Sequence, residues 1–238
     1  MSGFDLSEFK MFERAPYEKI DERAEMELVT SDAKDVEKIY GRVFTVKVIE
    51  YALKTVERLA GEKPGKEITS LDELKEYLLS ISGKLPMPSY YVMFWAQYIA
   101  DKKLEGALGA GYHVSHAGLA KKAMSSDGIK PEQASSVEEA LALLRKLAVQ
   151  LRIAPLEFGY KIGDDGRLYL YHAGCAFFDG CKMSIDKKVL HRPDGRVTCG
   201  VTVFVCQFLK SSTKQEWDHT LLEFNEKGKY CIVQCVPI

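Results

Sequence analysis

Apolar residues recur at helical spacing from residue 31 onward: Val36, Ile39, Tyr40, Val43, Val46, Ile49, Leu53, Val56 and Ala60. A stripe of this period marks an amphipathic helix, so one long helix is expected over Ser31 to Ala60. Ser31 or Asp32 is placed to cap its start and Gly61 to close it. Gly41 is a bend point, and the β-branched residues between 43 and 48 lower the propensity. A second stripe, Leu71, Leu74, Leu78 and Ile81, follows the capping box Ser70-x-x-Glu73 and stops at Gly83. A third follows Ser136-x-x-Glu139, with Val137, Ala140, Leu141, Leu144, Leu147, Ala148 and Leu151 on one face. Arg145, Lys146 and Gln150 lie on the other, and Pro155 ends the run.

The period then changes to two. Leu156, Phe158, Tyr160 and Ile162 alternate with Glu157, Gly159 and Lys161, Gly163-Asp164-Asp165-Gly166 is a turn signal, and Leu168 to His172 returns. Thr220, Leu222 and Phe224, a turn over Asn225 to Gly228, and Tyr230 to Val236 repeat the device. Val197 to Leu209 fits two templates. Its Val-Thr-Val-Phe-Val content suits a strand, while Val201, Val205, Phe208 and Leu209 fit a helix. Residues 1–30 read as an irregular arm with a short helix near Glu18 to Leu28.

Ser89 to Ser125 reads as another long helical region. Its first part, Tyr90 to Ala100, is aromatic; Gly106 to Ala123 is rich in small residues. A helix-interior glycine costs about 1 kcal/mol relative to alanine. Such a run therefore implies close approach by another helix or by a ligand, or a glycine-rich loop instead. The fold class expected is α+β (mixed α/β): long helices on a small antiparallel sheet built from two hairpins, with an N-terminal helical extension over 1–100 and an α/β domain over 101–238.

The order from about Leu104 resembles the 4-vinyl reductase-like domain family of small-molecule-binding proteins. The matching residues are Leu108-Gly-Ala-Gly111 to Ala120, and Glu138-Glu-Ala-Leu141 through Pro155-Leu-Glu-Phe158. They continue with Asp165-Gly166-Arg-Leu-Tyr-Leu170 through Cys175, then Cys199 and its apolar run, and Gly228-Lys-Tyr-Cys231-Ile-Val. The resemblance covers roughly the C-terminal 130 residues. It implies a fold shared with the small TRAPP subunits and haem-NO-binding domains, and a bound hydrocarbon or other apolar molecule. The chain departs from the family in having no cysteine between Asp218 and Phe224, and bulky rather than glycine-rich residues from Val201 to Leu209.

Composition narrows the partners. With 33 basic and 34 acidic residues, the chain lacks the field expected of a nucleic-acid binder. The longest uncharged run, Leu85 to Ala100, is shorter than the roughly 18 residues a membrane span needs and holds two prolines. A polar start without an apolar leader points to the cytoplasm. There, six cysteines, all between Cys175 and Cys235, mean thiols, metal ligands or redox chemistry before disulfides.

Candidate chemistry falls in three places. Gly111, Tyr112, His113 and His116, with Trp95 and Tyr98, are offered as small-molecule contacts. The blander role for the histidines is a polar helix interface, and for the aromatics, core. Cys175, Cys181 and Cys199, with His172 or His191, are the first ligand set for Zn or Fe; the blander role is buried structural thiols. Cys231 and Cys235 share one face of their strand. No P-loop, dinucleotide fingerprint or nucleophile elbow is present. The expected function is therefore a small hydrophobic-ligand sensor or carrier acting as a homodimer. A metal or redox protein is the alternative, and a hydrolase or reductase the third reading.

Overall fold

The computed structural model describes residues 4–85, 92, 95, 96, 99, 129–131, 134–186, 191, 192 and 194–238. The chain divides into two compact units. One comprises Met1–Ile20, Ala120–Phe178 and Leu190–Ile238; the other, Asp21–Leu119 and Asp179–Val189. The division differs from a break at residue 100, because the N-terminal arm belongs with the C-terminal sheet.

The second unit is helical. α1 (Glu22–Tyr40) starts at Asp21, whose side chain accepts the amides of Arg23 and Ala24, and so begins nine residues before Ser31. α2 (Arg42–Ala60) follows Gly41, which sits at φ 76° and breaks the expected single helix in two. The break also turns the buried face. Ile39, Val43 and Val46 are 56%, 65% and 49% exposed, while Phe44, Val48, Ile49, Ala52 and Val56 are buried. α3 (Leu71–Ser80) buries Leu71, Leu74 and Leu78. Ser70 Oγ accepts the Glu73 amide at 3.2 Å, and the Glu73 carboxylate reaches back to the Thr69 amide and hydroxyl. The glycine-rich stretch expected to be helical lies outside the described residues, as does most of the aromatic run before it.

The first unit carries a five-stranded antiparallel sheet in the order β1-β2-β3-β5-β4. Its strands are β1 (Lys10–Met11), β2 (Glu157–Ile162), β3 (Leu168–Ala173), β4 (Trp217–Asn225) and β5 (Tyr230–Pro237). Both expected hairpins are present, and the arm adds β1 beside β2. Alternation gives the sheet two buried faces. On one, Phe158, Tyr160, Leu168, Leu170 and Cys235 meet α4 (Val137–Gln150) through Ala140, Leu141, Leu144 and Leu147. α6 (Gly200–Thr213) adds Val205, Cys206, Phe208 and Leu209. On the other face, Tyr171 and Ile232 pack with Phe9 of the arm. Between the hairpins, α5 (Phe178–Asp186) precedes α6.

Two positions depart from the periodicity. Residues 200–213 are helical despite their β-branched content. Thr202, Val205, Cys206 and Leu209 recur at helical spacing on the buried face, and packing outweighs the small propensity deficit. Arg145, expected on the solvent side, is buried at 7% exposure. Its guanidinium donates to the carbonyls of Pro155 at 2.6 Å, Leu156 at 3.2 Å and Glu13 at 2.8 Å. Arg145 thereby ties the arm and the start of β2 to α4. Among the described residues no helix is long and apolar enough to cross a membrane.

Candidate functional site

The face of the sheet beneath α6 brings together four thiols and two imidazoles. His172 on β3 opposes Cys231 on β5, and Cys235 on β5 lies between Leu168 of β3 and His219 of β4. Cys199 stands at the N-cap of α6 and Cys206 two turns further on. All six residues are buried.

The loop before α6 fixes where Cys199 sits. Val197 bridges His191, its amide donates to Thr220 Oγ1 at 3.2 Å, and its carbonyl accepts the Leu221 amide at 2.8 Å. Arg192 reaches the Asp218 carboxylate at 2.5 Å, and Arg196 also donates to it. Burial alone would raise the Asp218 pKa. The Arg192 hydrogen bond, the His219 amide and the charges of both arginines outweigh burial and hold it at about 2.

Two thiol–imidazole pairs result. Cys199 Sγ is 4.0 Å from His172 Nε2, and Cys206 Sγ is 3.9 Å from His219 Nδ1. The Cys199 amide donates to His219 Nε2 at 3.1 Å. An amide can only donate, so Nε2 carries the lone pair and the neutral ring's proton sits on Nδ1, facing Cys206. Cys206 and Cys235 lie in one buried cluster, with His219, the residue opposite Cys235, beside Cys206. The Cys235 thiol is the largest influence on the Cys206 thiol. That influence first, then His219 working against burial, brings the Cys206 thiol down to about 6, while burial and the Cys206 charge push Cys235 well up. The first pair is of the opposite kind. Burial pushes His172 down to about 4 and raises Cys199, against the opposing Thr202 hydroxyl and the Thr202 and Val201 amides. His172 Nδ1 is buried without a hydrogen-bond partner, and Thr202 Oγ1 has nothing better than the Cys199 thiol.

Of the proposed metal set, Cys199 and His172 are neighbours. Cys175 follows β3 and Cys181 lies on α5, both half-buried. Among the described residues no group of three or more His, Cys, Asp or Glu is arranged to hold a metal ion. His191 is exposed. Of the ligand-contact set, Gly111, Tyr112, His113, His116 and Tyr98 lie outside the described residues. Trp95 is buried and stacks on Tyr51 at 5.0 Å. The sequence reading missed the trio Cys206, His219 and Cys235. The shared face of Cys231 and Cys235 was its one visible signal, and β4, which carries no cysteine, is the strand that brings His219 inward.

Comparison with protein-family models, with curated proteins and with solved structures found no match. Fold and site together define an α+β protein with a buried thiol–imidazole face.

Proposed function

We propose that this chain is a small-molecule-binding protein of the 4-vinyl reductase-like type, a sensor or carrier taking one apolar or amphipathic molecule. The observation that supports the reading is His172 Nδ1, wholly buried and without a partner. An unpaired buried polar atom costs about 1–3 kcal/mol, and native proteins hold few of them. Thr202 Oγ1, nearly as poorly served, lies by the Cys199 thiol. A molecule with a polar end group gives both atoms a partner, while its apolar body suits the surrounding face. In the same reading the protein is a cytoplasmic homodimer. The exposed row Ile39, Val43 and Val46 supports the second copy, which sedimentation at micromolar concentration tests.

Native mass spectrometry of protein purified without added ligand, followed by the same sample denatured, tests the reading. An organic mass that leaves on denaturation, and that His172→Phe no longer retains, is the expected result. No such mass, together with a His172→Phe variant more stable than the parent, would show a packing role for the ring and remove the proposal.

A further inference from the structure

Besides the ligand reading, the structure carries a second activity on which that reading does not depend. We propose that Cys206 and Cys235 are a redox-active dithiol that forms a reversible disulfide between α6 and β5, with Cys206 as the attacking thiol. The argument rests on the geometry of the trio. Cys206 shares one buried cluster with Cys235 of β5 and lies 3.9 Å from Nδ1 of His219, the β4 residue opposite Cys235. The Cys235 thiol and the His219 Nδ1–H are the two donors that favour its thiolate. The His219 proton is committed to that direction because the Cys199 amide occupies Nε2. A sulfur between two donors is stabilised as the thiolate, the form that attacks. Asp218, further off on β4, opposes that charge, and Cys199 at the head of α6 also feels it. The donors outweigh this opposition.

Burial selects the oxidant. Cys206 is 4% exposed and Cys235 is 0% exposed. A bulky disulfide cannot approach either sulfur in line, whereas a small uncharged peroxide can. The Cys206 thiolate attacks one peroxide oxygen. The S–O bond forms, the O–O bond breaks, and the departing hydroxide takes a proton to leave as water. The Cys235 sulfur then attacks the sulfenic sulfur of Cys206. The S–S bond forms, the S–O bond breaks, and the hydroxyl leaves with the Cys235 proton as a second water. Two thiols are oxidised and one peroxide is reduced; a small dithiol reverses the step by exchange. An S–S bond is about 2.05 Å long, shorter than any hydrogen-bonded contact between sulfurs. Oxidation therefore draws α6 toward β5.

The test uses the full chain, first reduced and then treated with hydrogen peroxide. The expected result is a mass lower by two hydrogens, four rather than six alkylatable thiols after denaturation, and a peptide map joining Cys206 to Cys235. Oxidised glutathione is expected to leave all six free in the native protein. Cys235→Ala should stop the disulfide and leave a sulfenic acid at Cys206 that a cyclic-dione probe captures. With one donor gone, the pH midpoint of capture should rise above about 6; a rise of about one unit would slow capture at pH 6 about fivefold. Cys231→Ala, a neighbouring buried thiol on the same strand, should change neither result. Six thiols still alkylatable after peroxide, or a disulfide joining any other pair, would overturn the proposal. The wild-type measurement decides this whether or not a variant folds.

Discussion

The two thiol–imidazole pairs share a sheet face and a helix, and their separations match: 4.0 Å for Cys199–His172 and 3.9 Å for Cys206–His219. Their characters are opposite. The difference lies at the far nitrogen of each ring. His219 Nε2 is held by an amide, which turns a proton toward Cys206. His172 Nδ1 meets no partner, so burial alone governs that ring, holding it neutral and leaving Cys199 a raised, unreactive thiol. A Cys–His contact is therefore not a reactive pair by distance. The second hydrogen bond on the imidazole, and a further donor to the sulfur, decide.

The largest expected effect tests whether the two pairs depend on their common frame in the same way. Arg145→Leu removes the guanidinium that three carbonyls share, two of them at the β2 edge and one in the arm. Each carbonyl left buried costs about 1–3 kcal/mol, partly offset by the added leucine. A loss of about 3–4 kcal/mol in chemical denaturation is expected. No Arg145 contact reaches either sulfur, so the pH midpoint of Cys206 alkylation should stay at about 6. A midpoint that moves with the variant would mean that the frame, not His219 and Cys235, sets the thiolate.

A somewhat smaller effect isolates His172. Its folded pKa, about 4, is depressed from an unfolded value of 6.5. The unfolded chain therefore binds the proton more readily. The neutral ring costs nothing by this route above pH 6.5, and stability falls as pH drops through the window from 6.5 to 4. At about 1.36 kcal/mol per unit, the loss comes to about 3 kcal/mol. The difference between wild type and His172→Phe, measured by denaturation at each pH, should show that slope and flatten below pH 4. Parallel curves would mean that His172 is solvated or paired, and the contrast with His219 would fail.

Legibility followed locality. Both capping boxes and both hairpins could be read because their signals sit within a few residues, and Gly41 announced a weak point though not a full break. Arg145 could not be read, because one of its acceptors lies 132 residues away. The helix 200–213 stayed ambiguous because propensity and packing pointed in different directions. The trio failed for a finer reason. Counting back from Asn225↔Tyr230, an unbroken ladder would set His219 against Val236. A bulge between Leu221 and Glu223 shifts the register by one and brings His219 opposite Cys235. No turn signal encodes that bulge, and the site depends on it.

The smallest effect concerns the thiol that the comparison makes idle. Cys199 is the N-cap of α6 yet makes no side-chain capping bond by geometry, so the first amides of the helix have only the weak sulfur near them. Serine is among the best N-cap residues, worth about 1 kcal/mol over a non-capping side chain. Cys199→Ser should therefore gain up to about 1 kcal/mol, since what it gives up is a 4.0 Å contact with His172. The Cys199 amide, and with it the His219 tautomer, is untouched by the exchange. The peroxide-dependent disulfide should form at the parent rate, and the thermal midpoint should rise by a few degrees. A fall in stability would mean that the Cys199–His172 contact holds more than its distance suggests. A slowed disulfide would mean that the two pairs act as one centre.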